Sequence, residues 1–140
     1  MIDSLDEQLI HLLEQDAGQS SKALAKRLNA SPATIRRRIR KLVQEDVIHI
    51  RALLNPSKIG LMAAVLTLDV DHRSLGKAIK QLASKDNVVW LSTITGRFDI
   101  MALLRIKSTD ELFAFLQEEL PKIQGVKNSE TFVCLHVLKH

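Results

Sequence analysis

Ser31-Pro32-Ala33-Thr34-Ile35-Arg36-Arg37-Arg38-Ile39-Arg40-Lys41-Leu42-Val43-Gln44 is the stretch on which the reading of this chain turns. It predicts a helix with a marked start. Ser31 suits the N-cap, where a hydroxyl accepts from an orphan backbone N–H. Pro32 suits the first helical position, where a missing N–H costs nothing. At about 100° per residue, Ile35, Ile39, Leu42 and Val43 fall on one side. Ala33, Arg37, Arg40 and Gln44 fall opposite, flanked by Thr34, Arg36 and Lys41. One face is core, and the other is positive with small or hydroxyl-bearing residues at its beginning. A helix that reads DNA needs that combination: close approach to base edges at its N-terminal end, and arginines that pair with guanine or phosphate.

A basic helix face is more often simply solvated, so the surroundings have to decide. Between Ala17 and Gln44 stand eight basic residues (Lys22, Lys26, Arg27, Arg36, Arg37, Arg38, Arg40, Lys41) and no acid. A solvated helix usually mixes signs and gains i,i+4 pairs. This segment forgoes them and accepts self-repulsion, as expected where phosphate supplies the counter-charge.

The rest of the composition sets bounds. A chain of 140 residues makes one ordinary domain or two small ones. Its 46% hydrophobic and 26% charged content is globular. The net charge of +4 and pI near 9.4 permit an anionic partner. Residues 1–56 carry nine basic and seven acidic side chains and the remainder eleven and nine, so both parts are +2 and only the clustering over 22–41 is distinctive. The one cysteine, Cys134, excludes an internal disulfide and suits a reducing compartment. The opening Met1-Ile2-Asp3-Ser4 lacks the basic region and apolar run of a signal peptide. No apolar run approaches the roughly 18 residues that span a membrane. The expectation is a cytoplasmic protein with no membrane partner.

Upstream of the basic helix, Ser4 and Glu7 are three apart and suggest a capping box. The helix they open carries Leu5, Leu9, Leu12 and Leu13 on one side and ends near Asp16-Ala17-Gly18. Ser20 or Ser21 caps a shorter helix with Ala23, Leu24, Ala25 and Leu28 as packing positions. Asn29-Ala30 is then a tight turn, where asparagine tolerates the left-handed conformation. Three short helices with a three- to four-residue turn before the last form a helix-turn-helix of the winged type. Val47 to Leu54 alternates weakly and is expected to be extended, ending at Asn55-Pro56. This places a helix-turn-helix domain over 1–46, a linker over 47–60 and a second domain over 61–140.

The second domain changes period. Leu61 to Asp71 reads as a strand with Met62, Ala64, Leu66, Leu68 and Val70 on one face. Ser74 to Ser84 is helical, with Leu75, Ile79 and Leu82 as its stripe. Val88 to Thr95 and Ile100 to Ile106 are strands joined at Gly96-Arg97-Phe98-Asp99, a hairpin spacing. Ser108 and Glu111 suggest another capping box, opening a helix that packs Leu112, Phe115, Leu116 and Leu120 and stops before Pro121. After Gly125, Val126 to Leu138 contains a fourth strand. The order βαββαβ is the ferredoxin-like pattern, so the fold class is α+β. Parity puts Val89, Leu91, Met101, Leu103, Val133, Leu135 and Val137 opposite Val88, Trp90, Ile94, Ile100, Leu104 and Phe132. Both faces are largely apolar. Helices cover one face only, which predicts self-association through the other.

With these residues in place, the chain resembles the Lrp/AsnC (feast/famine) family of bacterial and archaeal transcription regulators over nearly its whole length. The resemblance rests on Ile2-Asp3-Ser4-Leu5-Asp6, Leu24-Ala25, Ser31 to Leu42, Val47-Ile48, Leu54-Asn55-Pro56 with Gly60, Thr95-Gly96-Arg97-Phe98-Asp99, Pro121 through Gly125-Val126, and Thr131-Phe132-Val133. It is the ordered set that is specific. The resemblance implies a ferredoxin-like (RAM-type) domain that dimerises through its sheet, with further assembly to tetramers or octamers in the family. It also implies that this domain senses a small molecule, commonly an amino acid. Gly96, Arg97 and Asp99 of the hairpin match that site, and so do Phe132 and Val133 on the last strand. A physical case accompanies the hairpin: Gly96 permits a turn with exposed N–H groups, and Asp99 offers a carboxylate to an α-ammonium. The plainer reading is that both residues simply make the turn. Two departures stand out: Ala17-Gly18 where the family has Gly-Arg, and Asp46 where it has glycine after the recognition helix. Aspartate can still adopt the left-handed turn.

The leading expectation is a homodimeric, effector-responsive regulator of double-stranded DNA. Ala33, Thr34, Arg36, Arg37 and Arg40 would read bases, with Ser31 at the helix start. Lys22, Lys26 and Lys41 would hold phosphates, and Arg38, at the edge of the apolar stripe, would bind phosphate or brace the fold. Two alternatives share the architecture: an enzyme resembling sirohaem decarboxylases, and a basic protein that compacts DNA without sequence preference. No catalytic motif, cofactor or metal site is expected. The histidines (His11, His49, His72, His136, His140) lack ligand spacing, and Cys134 with His136 would supply only two ligands. Asp69 and Asp71 are read as strand-end acids and Cys134 as a core thiol.

Overall fold

The computed structural model describes residues 1–138. It separates into two compact units, one over Met1–Ala52 and a second that begins at Leu53.

The first unit consists of α1 (Ser4–Gln15), α2 (Ser21–Arg27) and α3 (Pro32–Gln44). Leu9, Leu12 and Leu13 of α1, Leu24 and Ala25 of α2, and Ile35 and Leu42 of α3 form one buried cluster. Three details differ from the expectations. The cap of α1 is Asp3, not Ser4, and its capping partner is Asp6, not Glu7: Asp6 N–H donates to Asp3 Oδ1 at 2.9 Å and Asp3 N–H donates to Asp6 Oδ2 at 3.2 Å. Moving the box one residue earlier uses carboxylates, which a helix N-terminus favours, as both capping acceptors. Ala23 lies on the exposed side of α2, and Val43 is 42% exposed, so the core stripe of α3 is narrower than its apolar residues suggest. Ser20 is the cap of α2, its Oγ accepting from Ala23 N–H at 3.1 Å. Ser31 caps α3 with Pro32 at its first position. Asn29 (φ 49°) and Asp46 (φ 59°) both take the left-handed conformation their turns require. The segment after Asp46 is irregular until a 3₁₀ turn over Pro56–Ile59, and no wing strand is present among the described residues.

The second unit holds β1 (Met62–Val70), α4 (Leu75–Ala83), β2 (Val88–Thr93), β3 (Ile100–Ile106), α5 (Thr109–Ala114) and β4 (Val126–Cys134). Beyond Ala114, α5 widens into a π turn over Phe115–Glu119 and closes as a 3₁₀ turn over Leu120–Lys122, which accommodates Pro121. Ser108 caps α5 through Glu111 N–H, while the Glu111 carboxylate accepts from Lys107 N–H, one residue earlier than a reciprocal box requires. The sheet is antiparallel with order β2-β3-β1-β4, the α+β ferredoxin-like arrangement. One face carries the core: Ala64, Leu66, Leu68 and Val70 of β1 with Ile100, Ala102, Leu104 and Ile106 of β3, packed against Ala78, Leu82, Leu112, Phe115, Leu120 and Ile123.

The other face corrects the parity assignment. The register between β2 and β3 shifts between Val88 and Trp90. Val88 and Leu91 therefore both pack on the core, and Trp90, pairing with Leu103, faces away. On the opposite side of β1, Phe132 pairs with Val65 and Val133 with Ala64. Phe132 thus shares the open face and Val133 the helix-covered side, the reverse of the expectation. Trp90, Leu103, Val65 and Phe132 consequently form one apolar row across all four strands. Trp90 and Phe132 are 50% and 53% exposed. No helix among the described residues is long and apolar enough to cross a membrane.

Candidate nucleic-acid interface and effector site

In the first unit, Ile35 and Leu42 turn inward, and this turns Ala33, Arg36, Arg37, Arg40, Lys41 and Gln44 into solvent. Lys22 and Lys26 are exposed on α2. Among the described residues Lys22, Lys26, Arg36, Arg37 and Arg40 form no ion pair, and Lys41 lies 3.9 Å from Glu45. Arg27 donates to Gln19 Oε1 at 3.2 Å. The Ser31 Oγ accepts from Thr34 N–H at 3.0 Å and sits 2.9 Å from Thr34 Oγ1. The two hydroxyls therefore fix the start of α3. With 13 residues, α3 is about 20 Å long and of a size to lie in a major groove.

Arg38 differs from its neighbours. Its Nη1 donates to Asp3 Oδ1 and Oδ2, both at 2.7 Å, and to Asp6 Oδ1 at 2.8 Å. Of the two roles expected for it, phosphate ligand or brace, the structure displays the brace. The Arg38 hydrogen bond, with that from the Asp6 backbone next, holds the Asp3 carboxyl below its ordinary value, and the hydrogen bonds to Asp6 and Asp3 raise Arg38. Asp3 and Asp6 were missed as functional partners. Their signal is visible in retrospect: two acids three apart in a first turn, and one arginine set at the margin of an apolar stripe.

In the second unit, the β2–β3 connection contains Gly96 at φ 121°, a conformation that needs glycine although no atom lies within 4 Å of an added Cβ. Arg97 pairs with Glu130 at 3.0 Å and lies 5.2 Å from the Phe98 ring centroid. Asp99 is tied to the end of β1: its Oδ2 accepts from Val70 N–H at 2.8 Å, and its N–H donates to Leu68 O at 2.9 Å. One carboxylate oxygen thus ties the start of β3 to the end of β1, while the hairpin itself is closed by the backbone, Ile94 N–H donating to Asp99 O at 2.9 Å. Glu130 and Phe132 lie two apart on the open face of β4, so Arg97, Glu130 and Phe132 share one side of the sheet while Val133 faces the other. Glu130 was not anticipated; only the cross-strand register reveals it. Asp69 pairs with Lys127 at 3.2 Å. No group of three or more His, Cys, Asp or Glu side chains suited to a metal occurs among the described residues, and His140 lies outside them.

A helix-turn-helix with a free cationic face, joined in sequence to a four-stranded α+β unit, defines a two-domain DNA-binding regulator. Comparison with known proteins agrees. Residues 2–49 match the winged helix-turn-helix DNA-binding family and residues 63–140 match the Lrp/AsnC ligand binding domain. An HTH-type transcriptional regulator of Pyrococcus furiosus is 33% identical over 99% of this chain and 95% of its own length. The HTH-type transcriptional regulator Ptr1 of Methanocaldococcus jannaschii is 25% identical over 99% and 95%. The E. coli AsnC structure superposes with a TM-score of 0.78 at 25% identity, covering 100% of this chain and 96% of that one. A Neisseria meningitidis transcriptional regulator solved as an L-Met complex has the same fold, with a TM-score of 0.82 at 19% identity over 100% and 94% of the two chains. The chain belongs to the Lrp/AsnC family of transcription regulators.

Proposed function

We propose that this chain is a sequence-specific, effector-responsive regulator that acts as a homodimer. The observation that carries this reading is the face of α3, where Arg36, Arg37 and Arg40 stand exposed without a carboxylate partner among the described residues. Each dimer would set two copies of α3 in successive major grooves, with half-sites about one helical turn apart. Arg36, Arg37 and Arg40, with Ala33 and Thr34, would read bases, while Lys22, Lys26 and Lys41 hold phosphates. The row Trp90–Leu103–Val65–Phe132 supports dimerisation through the open face of the sheet, because a monomer seldom leaves such a patch to water. The effector is an amino acid bound near Gly96, Arg97 and Asp99, with Phe132 bordering the same face and Val133 reaching the site only from the covered side. The Neisseria regulator holds an amino acid, L-Met, in its complex. The named relatives are transcriptional regulators, which favours this reading over a sirohaem-decarboxylase-like enzyme.

Fluorescence anisotropy tests it. The labelled duplex comes from just upstream of this chain's own gene and is competed with a scrambled duplex, with and without each amino acid. Binding that resists the scrambled competitor and shifts with one amino acid is expected. Equal competition would favour the non-specific DNA-compacting alternative and overturn the proposal.

A further inference from the structure

Arg38 holds the centre of α3, and the way it is held bears on how that helix reads DNA. Ile35 and Leu42 of α3 are fully buried, seven residues apart along one line, Ile39 packs beside them half-buried, and Val43 is exposed. So narrow an apolar stripe fixes the height of a helix better than its roll about its own axis. Arg38 sits between Ile35 and Leu42 and off that line. Its Nη1 reaches three carboxylate oxygens within 2.8 Å, on Asp3 and Asp6. Those two acids are in turn locked to each other by the reciprocal backbone bonds that open α1. The Arg38 Nε is buried without a partner among the described residues, so the guanidinium is held through Nη1 alone. With two acids around one cation, this cluster is formally negative, the wrong sign for a phosphate contact.

We propose that Arg38 is a positioning residue for DNA recognition: by clamping α3 to the Asp3–Asp6 cap of α1, it fixes the roll angle at which Arg36, Arg37 and Arg40 enter the groove, and it does not itself bind DNA. A roll of about 10° moves groups about 6 Å from the axis by about 1 Å. That exceeds the tolerance of a bidentate arginine–guanine pair. The inference rests on the regulator reading above.

The test uses the full chain, the upstream duplex and the scrambled duplex, with circular dichroism to verify folding. Arg38→Met should lose about tenfold or more on the upstream duplex, as loss of bidentate base contacts does. On the scrambled duplex it should leave the slope of log K against log salt unchanged. Arg38→Lys, a point charge without the planar fork, should be intermediate. Asp3→Asn keeps a good N-cap and should therefore fold even where Arg38→Met does not. It should also lose preference for the upstream duplex, although it removes a negative charge. A role in stability alone would lower the thermal midpoint and leave the ratio of the two affinities unmoved, which overturns the proposal. Tighter binding of both duplexes by Asp3→Asn, or a slope reduced by about 0.9 in Arg38→Met, would make Arg38 a phosphate ligand and overturn it as well. If the wild-type chain shows no preference for the upstream duplex, the regulator reading fails first and this inference with it; the wild-type arm alone reveals that case.

Discussion

The exposed side of α3 and the open face of the sheet are both surfaces without a partner in the single chain, yet they are incomplete in opposite ways. On α3 the apolar side is largely buried and the outward side is dominated by cations: Arg36, Arg37 and Arg40 have no carboxylate neighbour among the described residues. On the sheet the polar groups are largely answered, with Arg97 on Glu130 and Lys127 on Asp69, and it is apolar surface that is left over in the row from Trp90 to Phe132. The first surface gains most from a polyanion and loses that gain as salt rises. The second gains from a like apolar surface, and salt matters little to it. One chain thus presents two kinds of incompleteness, and each names the chemistry of what completes it.

The comparison breaks most visibly if the sheet is made polar. Phe132→Glu or Trp90→Glu is expected to convert a dimer to a monomer in sedimentation velocity. With the half-sites no longer linked, affinity for the upstream duplex should fall by about a hundredfold or more. An unchanged mass would remove the sheet from the account of self-association. Altering the cationic face should do less and do it selectively. Arg37→Ala or Arg40→Ala should cost about 1–3 kcal/mol on the upstream duplex and relax sequence preference, whereas Lys41→Ala should weaken every duplex alike. Equal losses on upstream and scrambled DNA for all three would cancel the assignment of base-reading residues. Gly96→Ala tests the hairpin. With φ at 121°, it should destabilise the second unit by about 1–3 kcal/mol in thermal melts despite the open space around it, and should blunt any effector response.

The smallest effect is the pH response of the α1 cap. Arg38 depresses the Asp3 carboxyl, so the ion pair contributes in full above the ordinary aspartate value and is lost as pH falls through the lowered one. The thermal midpoint of the first unit should therefore drop in acid more steeply in the wild type than in Asp3→Asn. Glu119, depressed first by Lys85 and then by Lys122, adds the same sign of dependence to the second unit.

Much of this was legible from residues close together in the chain. Ser31-Pro32 marked the start of α3, Asn29 and Asp46 marked its flanking turns, and the βαββαβ order followed from the change of period after Gly60. The basic face of α3 was legible for the same reason, because a helix's own geometry assigns its faces. What escaped was set by how segments meet. Val43 looked like core because a helical wheel shows direction and not how wide a stripe the neighbours cover. Trp90 and Leu91 exchanged faces at a bulge that no single strand announces, and Phe132 and Val133 exchanged them because parity within β4 has no origin until Val65 pairs with Phe132.

By itself, then, the sequence determined which segments are helix or strand and that one helix carries an unneutralised cationic face, since turns and periodicity act over a few residues. Only the tertiary structure decided that Arg38 belongs to Asp3 and Asp6, 35 and 32 residues away, and not to the face its neighbours form. It alone decided that Trp90 and Phe132 stand in one row. Charges and apolar groups distant in sequence find one another only when the backbone between them has folded, and register across a gap is a property of the contact, not of either partner.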